Sequence, residues 1–165
     1  MNQTHKKFRV LSVSLSSRGF GYAVMEGDDT LVDYGHKVFS NDKNARTIVQ
    51  VEKLIVRNVP EMLVLSDADA KGARRAPRIK KLHRDTAALA RRHKLIVAKV
   101  SARELRVALL GDEYGTKREM AESLAARFPD ELALRLPRKR RPWESEDARM
   151  DVFDAVGLAV TGKGQ

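Results

Sequence analysis

The sequence predicts an α/β fold that begins with a three-stranded β-meander and continues with strands and helices in alternation. Three short segments with strand-like patterns lie within the first forty residues, and turn sequences separate them. The remainder contains two short apolar runs and five segments with the helical spacing of apolar residues. No internal repeat or break in composition divides the 165 residues, so we expect one domain over 1–165.

The three strands of the meander are predicted at 8–15, 20–25 and 30–39. The first mixes alternation with β-branched residues, as a half-buried or fully buried strand does. The Gly-Asp-Asp sequence at 27–29 supplies the residues that a tight hairpin requires.

Helices and buried strands alternate after the meander. Asn41 or Asp42 is a candidate N-cap for the first helix, and Pro60 ends that helix. The apolar run that follows resembles a strand buried in the centre of a sheet. The predicted elements are a helix at 45–58, a strand at 61–65, a basic helix at 77–93 and a strand at 95–98.

Capping sequences mark the last third of the chain. Ser101 with Glu104, and Thr116 with Glu119, both fit the capping box that opens a helix. The two helices are expected to end near Gly111 and near Pro129. A rigid basic linker at 137–142 then precedes a last helix at 147–160.

Positive charge is concentrated in two blocks. The net charge is +10, of which segment 71–94 contributes +9 and segment 138–141 contributes +4, so the rest is slightly negative. A solvated helix face and a charged linker would also account for these blocks, but their segregation favours nucleic-acid binding. The strongest candidates for phosphate contacts are Arg74, Arg75, Arg78, Lys80, Lys81, Lys117, Arg138, Lys139, Arg140 and Arg141.

The composition also excludes several classes of protein. No apolar run approaches eighteen residues, which argues against a membrane-spanning helix. The chain has no cysteine, so it has neither disulfides nor thiolate zinc sites. Segment 1–7 lacks an apolar signal region, and we therefore expect a cytoplasmic protein.

Three segments, in order, resemble the RuvC-like Holliday-junction resolvases of the RNase H-like superfamily. Segment 10–24 is similar to the family's opening strand and its turn with Arg and Gly-Tyr. Segment 101–121 is similar to a Ser-capped helix, a Gly-containing loop and a Lys-Glu helix start. Segment 151–159 is similar to the C-terminal Asp-x-x-Asp-Ala helix. The resemblance implies an RNase H-like fold, with a five-stranded mixed sheet whose first three strands are antiparallel, flanked by helices.

The resemblance also implies metal-assisted phosphodiester hydrolysis with Mg²⁺ or Mn²⁺. In the family, carboxylates from the first strand, the fourth strand and the last helix hold two divalent ions. Asp151 and Asp154 stand at the last-helix positions, but Ser14 and Ser66 occupy the two strand positions. A serine hydroxyl can coordinate magnesium, but it brings no negative charge, so we expect weak or absent metal binding. Asp67 could partly replace a missing acidic ligand if a bend at the end of the strand turns its side chain toward the site.

Each candidate has a structural alternative. Asp67 and Asp69 also suit turn and cap positions after a strand, and both interpretations stay open. Asp151 and Asp154 could simply complement the helix dipole, although the flanking resemblance favours a metal site. Trp143 could stack on a base or ribose, or it could anchor the last helix onto the sheet.

Two weaker signals carry little functional weight. The histidines, at His5, His36, His83 and His93, show no ligand spacing, and we expect surface or structural roles for them. The Gly-Phe-Gly sequence at 19–21 lacks the remaining glycines of a dinucleotide loop.

Together these features predict a RuvC-like protein that binds branched or double-stranded DNA, or structured RNA, by backbone and shape. Its acidic metal site is degraded, with Asp151, Asp154 and Asp67 as the remaining candidate ligands and catalytic acids. The alternative is an active Mg²⁺- or Mn²⁺-dependent, structure-selective endonuclease. The resemblance further implies a homodimer.

Overall fold

The computed structural model describes residues 7–164, so His5 lies outside the described residues. The strands within this range are β1 (Arg9–Leu15), β2 (Gly19–Glu26), β3 (Thr30–Val38), β4 (Met62–Ser66) and β5 (Ile96–Val100). The helices are α1 (Lys43–Asn58), α2 (Pro77–Arg92), α3 (Ala102–Leu110), α4 (Lys117–Arg127), α5 (Pro129–Leu132) and α6 (Met150–Gly162). A 3-10 turn, Ala133–Arg135, follows α5.

The five strands form one mixed sheet in the order β3-β2-β1-β4-β5. β1, β2 and β3 are antiparallel neighbours, because short turns join them. β4 lies parallel to β1, after α1 has crossed from β3, and β5 lies parallel to β4, to which α2 connects it. The predicted five-stranded mixed sheet with three antiparallel strands, flanked by helices, is therefore confirmed.

The period of two in β1 divides the core into two layers. Leu11, Val13 and Leu15 are buried on the face that packs against α1 and α2. Val10 packs on the opposite face against α6, and the buried Ser12 donates a hydrogen bond from its hydroxyl to the Ala155 carbonyl of α6. Ser14 has the same parity as Val10 and Ser12, so it faces the α6 side of the sheet.

Helix starts differ from the sequence patterns in informative ways. The capping box of Ser101 and Glu104 is complete, as predicted. At α4 the Thr116 hydroxyl accepts from the Glu119 backbone N–H, but the Glu119 carboxylate accepts from that hydroxyl instead of from the backbone. Asp42 occupies the N-cap position of α1, as predicted, but its backbone is left-handed and its side chain makes no capping hydrogen bond.

Two helices begin at residues that the sequence pattern does not predict. Pro129 opens the short α5, because a proline lacks only an N–H that the first helical turn leaves unpaired. The last helix begins at Met150 instead of 147, because the Asp147 carboxylate binds the backbone N–H and guanidinium of Arg149 in a turn. Within 7–164, none of the helices has the length and apolar character that a bilayer crossing requires.

Candidate nucleic-acid interface and acidic cluster

Helix α6 carries two aspartates and lies directly on the strand β2. Its closest approach is at Gly21, where an added Cβ would lie 2.0 Å from the Asp151 carbonyl oxygen. Gly21 pairs across the sheet with Ser14 of β1. Glycine at this position therefore lets the first turn of α6 lie on β2, next to Ser14 of the neighbouring β1.

Three carboxylates converge at the start of α6. One oxygen each of Glu146, Asp151 and Asp154 lies within 4.8 Å of the others. Asp151 is almost fully buried, whereas Asp154 and Glu146 are partly exposed. The sequence indicated the two aspartates but not Glu146, and the only available signal was the run of acids just before the helix.

Two basic side chains already pair with this cluster. The Arg18 guanidinium lies 2.9 Å from Oδ1 of Asp151, and the Ser16 hydroxyl donates to Oδ2 of the same carboxylate at 3.1 Å. The Lys117 ammonium lies 2.9 Å from Asp154 and 2.5 Å from Glu146. The three negative charges are thus opposed by two positive charges in direct contact.

Burial and these ion pairs shift the pKa values of the cluster in opposite directions. Burial raises the pKa of Asp154 to about 6, although the neighbouring Lys117 acts to lower it. Burial likewise raises the pKa of Asp151, against the effect of Arg18. Burial alone would lower the pKa of Lys117, but Asp154 and Glu146 together raise it above its ordinary value.

Ser14 and Ser66 lie side by side at the carboxyl ends of two parallel strands. Val13 pairs with Leu65, so the two serines occupy the next position in the register. Ser66 has the parity of Met62 and Val64, which pack on the α6 side. The Arg75 guanidinium lies 3.4 Å from the Ser66 hydroxyl. A basic side chain therefore contacts one of the two positions where the resemblance implies an acid.

Asp67 lies next to these serines but outside the acidic cluster. Its carboxylate accepts a hydrogen bond from the Asp69 backbone N–H at 3.0 Å, which is the geometry of an Asx turn. Asp67 does line the same cleft as Ser14, Ser66 and Asp154. A ligand role for Asp67 stays a prediction.

The cleft at this edge has a volume of about 710 Å³ and is rich in basic side chains. Its lining includes the two serines, Asp67, Asp154 and Lys117. Its basic residues are Lys71, Arg74, Arg75, Arg103, Arg106 and Lys117.

A second cavity, of about 290 Å³, adjoins the first at Lys117. Glu146 and the predicted contacts Arg138, Lys139 and Arg140 line it. Each basic block of the sequence therefore lines one cavity, and Lys117 lines both.

Other predicted phosphate contacts have different surroundings. Arg78 binds the Asn44 side chain at 2.6 Å and the Ser17 carbonyl at 3.2 Å, so it ties α2 to α1 and to the β1–β2 turn. Lys81 pairs with Asp85 on the surface of α2. Lys80 is partly buried on the same helix, and Arg141 lies against Trp143. None of these four lines the two cavities.

The residues at this edge do not fit a two-ion centre. Carboxylate oxygens are ligands that Mg²⁺ and Mn²⁺ prefer, and the three acids offer them. However, Ser14 and Ser66 contribute no negative charge, and Asp151 and Asp154 already form ion pairs with Arg18 and Lys117.

Comparison with known proteins bears on the fold. No protein-family profile and no curated protein sequence matches the chain. The solved structure of Thermus thermophilus RuvC superposes with a TM-score of 0.69 at 16% identity, over 93% of this chain and 92% of RuvC. The fold is that of RuvC.

Two further structures share the RuvC fold with this chain. T. thermophilus RuvC in complex with a Holliday junction substrate gives a TM-score of 0.68 at 17% identity, over 95% of this chain and 92% of RuvC. The yeast mitochondrial Holliday junction resolvase Ydc2 gives 0.62 at 14% identity, over 95% of this chain and 78% of Ydc2. At these identities the RuvC likeness is one of architecture, and the side chains of the site have to be interpreted from this chain alone.

Proposed function

We propose that this protein binds branched DNA, such as a four-way junction, through the phosphate backbone and without cleaving it. A RuvC structure that superposes on 95% of this chain is described as a complex with a Holliday junction substrate. In this chain, the cleft at the ends of β1 and β4 combines six basic side chains with two serines. Backbone contacts of this kind recognise shape and charge and not base sequence.

One observation carries the proposal: side-chain cations stand at the cluster where a nuclease of this class would need its metal ions. Arg75 contacts Ser66, and Lys117 and Arg18 neutralise the acids of α6. A binding site with built-in positive charge attracts phosphates in the absence of metal.

A second candidate function is a Mg²⁺- or Mn²⁺-dependent, structure-selective endonuclease. The carboxylate cluster of Glu146, Asp151 and Asp154 favours it, because three hard oxygen ligands can hold one divalent ion. We expect such binding to be weak, millimolar or poorer, since Lys117 and Arg18 must first be displaced.

The experiment compares a labelled four-way junction with a linear duplex of the same sequence, in gel-shift and cleavage assays. If the protein binds DNA without cleaving it, the junction should bind more tightly than the duplex. The affinity should be equal in EDTA and in Mn²⁺, and no cleavage product should form. Cleavage in Mn²⁺ that Asp154→Asn abolishes would establish the endonuclease instead. No binding of either DNA at low salt would contradict both candidates.

The form that we propose is a cytoplasmic homodimer. A two-fold pair presents two equivalent clefts, which suits the symmetric arms of a four-way junction. A chain without cysteine suits a reducing compartment.

A further inference from the structure

The basic segment before α6 forms an ordered loop around one carboxylate. Glu144 accepts two hydrogen bonds from the Arg138 guanidinium, at 3.1 and 2.6 Å, and one from the Arg141 backbone N–H at 3.1 Å. The Arg140 guanidinium donates to the Glu144 carbonyl at 2.8 Å. The Arg138 and Arg141 contacts lower the pKa of Glu144, so the carboxylate stays charged at neutral pH.

A β-turn at the tip of this loop presents an aromatic side chain. The Glu144 N–H donates to the Arg141 carbonyl at 2.9 Å, with Pro142 and Trp143 at the two central positions. Proline is favoured at the first central position because its fixed φ matches the turn. The turn therefore fixes the backbone of Trp143 at the tip of the loop.

Trp143 is exposed instead of packed. Its relative exposure is 76%, which rules out the anchoring role that the sequence left open. The Arg141 guanidinium lies 5.6 Å from the ring centroid. Because one cation covers only part of the ring, a planar partner can still stack on the indole.

We infer that Trp143 is a stacking platform for an unpaired base of the nucleic acid. The inference rests on the proposed function, because it assigns a second contact on the same bound strand. Arg138, Lys139 and Arg140 line the cavity that adjoins the cleft at Lys117. A strand whose phosphates follow these cations passes the turn that carries Trp143. A base in a duplex is covered on both faces, so the partner is a base in a single strand or at a branch point.

The chain provides its own reporter, since Trp143 is its sole tryptophan. Stacking quenches indole fluorescence, so we expect quenching by an oligothymidine and by a four-way junction with unpaired bases at its centre. A fully paired duplex and an abasic oligonucleotide of equal length should quench far less, because neither offers an accessible base. Equal quenching by the abasic chain, or by polyglutamate, would overturn the inference.

Substitution separates stacking from charge. We expect Trp143→Ala to weaken oligothymidine binding about 5- to 150-fold, the range for one stacked base, and Trp143→Phe to restore part of it. The salt dependence should not change, because no charge is removed. Leu134→Ala, which trims a side chain of 96% exposure elsewhere, is the matched control and should bind normally.

The outcomes distinguish this inference from the proposed function. The stacking role alone is overturned if the wild-type protein shifts the DNA in gels without a change in its fluorescence and Trp143→Ala binds with the same affinity. Wild-type protein that binds no nucleic acid overturns both. A Trp143→Ala variant that loses self-association, measured by sedimentation, while binding DNA normally would assign the side chain to contact between copies and overturn the inference.

Discussion

Gly21 of β2 and Asp151 of α6 lie in direct contact, so that the glycine Cα faces the Asp151 carbonyl. A Cβ at Gly21 would lie 2.0 Å from the carbonyl oxygen, 2.2 Å from its carbon and 2.8 Å from the Val152 nitrogen. Backbone atoms cannot rotate away as a flexible side chain can. The position of the acidic cluster over Ser14 therefore depends on this glycine.

Gly21→Ala should displace the start of α6. We expect a loss of at least about 1–3 kcal/mol in the free energy of unfolding, measured with urea, because overpacking a backbone contact forces the helix to move. Gly164→Ala is the control, since its added Cβ would meet its nearest atom at an ordinary 3.7 Å. Equal stability of both variants and the wild type would show that α6 does not pack at Gly21.

Neutralising the basic residues of the cleft should reduce the salt dependence of DNA binding. We expect Lys71→Gln, Arg74→Gln and Arg75→Gln together to lower the slope of log affinity against log salt by about 2 to 3, if each contacts one phosphate. The control removes the same charge at the far end of α2, with Arg91→Gln, Arg92→Gln and Lys94→Gln. Equal slopes for the two triple variants would place the bound DNA outside the cleft.

Restoring acids at the two serines should create a metal site. Ser14 and Ser66 adjoin each other on the α6 side, so Ser14→Asp with Ser66→Glu adds two carboxylates facing the existing cluster. We expect a double variant that is less stable without metal, through repulsion, and regains stability in Mn²⁺. Thermal unfolding with and without Mn²⁺ measures this.

The coupling between the two substitutions is the informative quantity. The stability of each single variant should respond little to Mn²⁺, because one added carboxylate is not enough to hold two metal ions. Nuclease activity on a four-way junction should rise with Mn²⁺ affinity in the double variant. A double variant that folds normally but neither binds Mn²⁺ nor cleaves would show that the serines do not converge with Asp151 and Asp154.

His83 should make the fold sensitive to mild acid. Burial, with the charges of Arg75 and Lys99, lowers its pKa to about 4. The unfolded chain takes up a proton near pH 6.5 and the folded chain does not, so stability falls as pH drops from about 6.5 to 4. The loss attributable to His83 is about 3 kcal/mol over that window.

Comparison of variants isolates this histidine from the carboxylates that titrate in the same range. As the pH falls from 7 to 4, the stability of His83→Gln relative to the wild type should increase steadily. A constant difference for His83→Gln across this range would contradict the prediction.

Local sequence patterns were sufficient for the elements and for much of their order. Alternation in β1, the helical spacing of apolar residues in α1 and α2, and the capping box at Ser101 each depend on neighbours within a few residues. Such signals persist whatever the rest of the chain does. Cap geometry was less predictable, because Asp42 occupies the N-cap position but has a left-handed backbone and makes no side-chain capping hydrogen bond.

The sequence by itself determined where charge is concentrated, that Asp151 and Asp154 share a helix face, and that serines stand at two strand ends. Only the tertiary structure decided which cations meet those acids. Arg18 is 133 residues from Asp151 along the chain, and it contacts Asp151 because Gly21 lets α6 lie on β2. Lys117, at the start of α4, and Glu146, in the segment just before α6, meet because α4 packs against α6. Periodicity is a property of adjacent residues, whereas an ion pair depends on a distance through space, and packing alone fixes that distance.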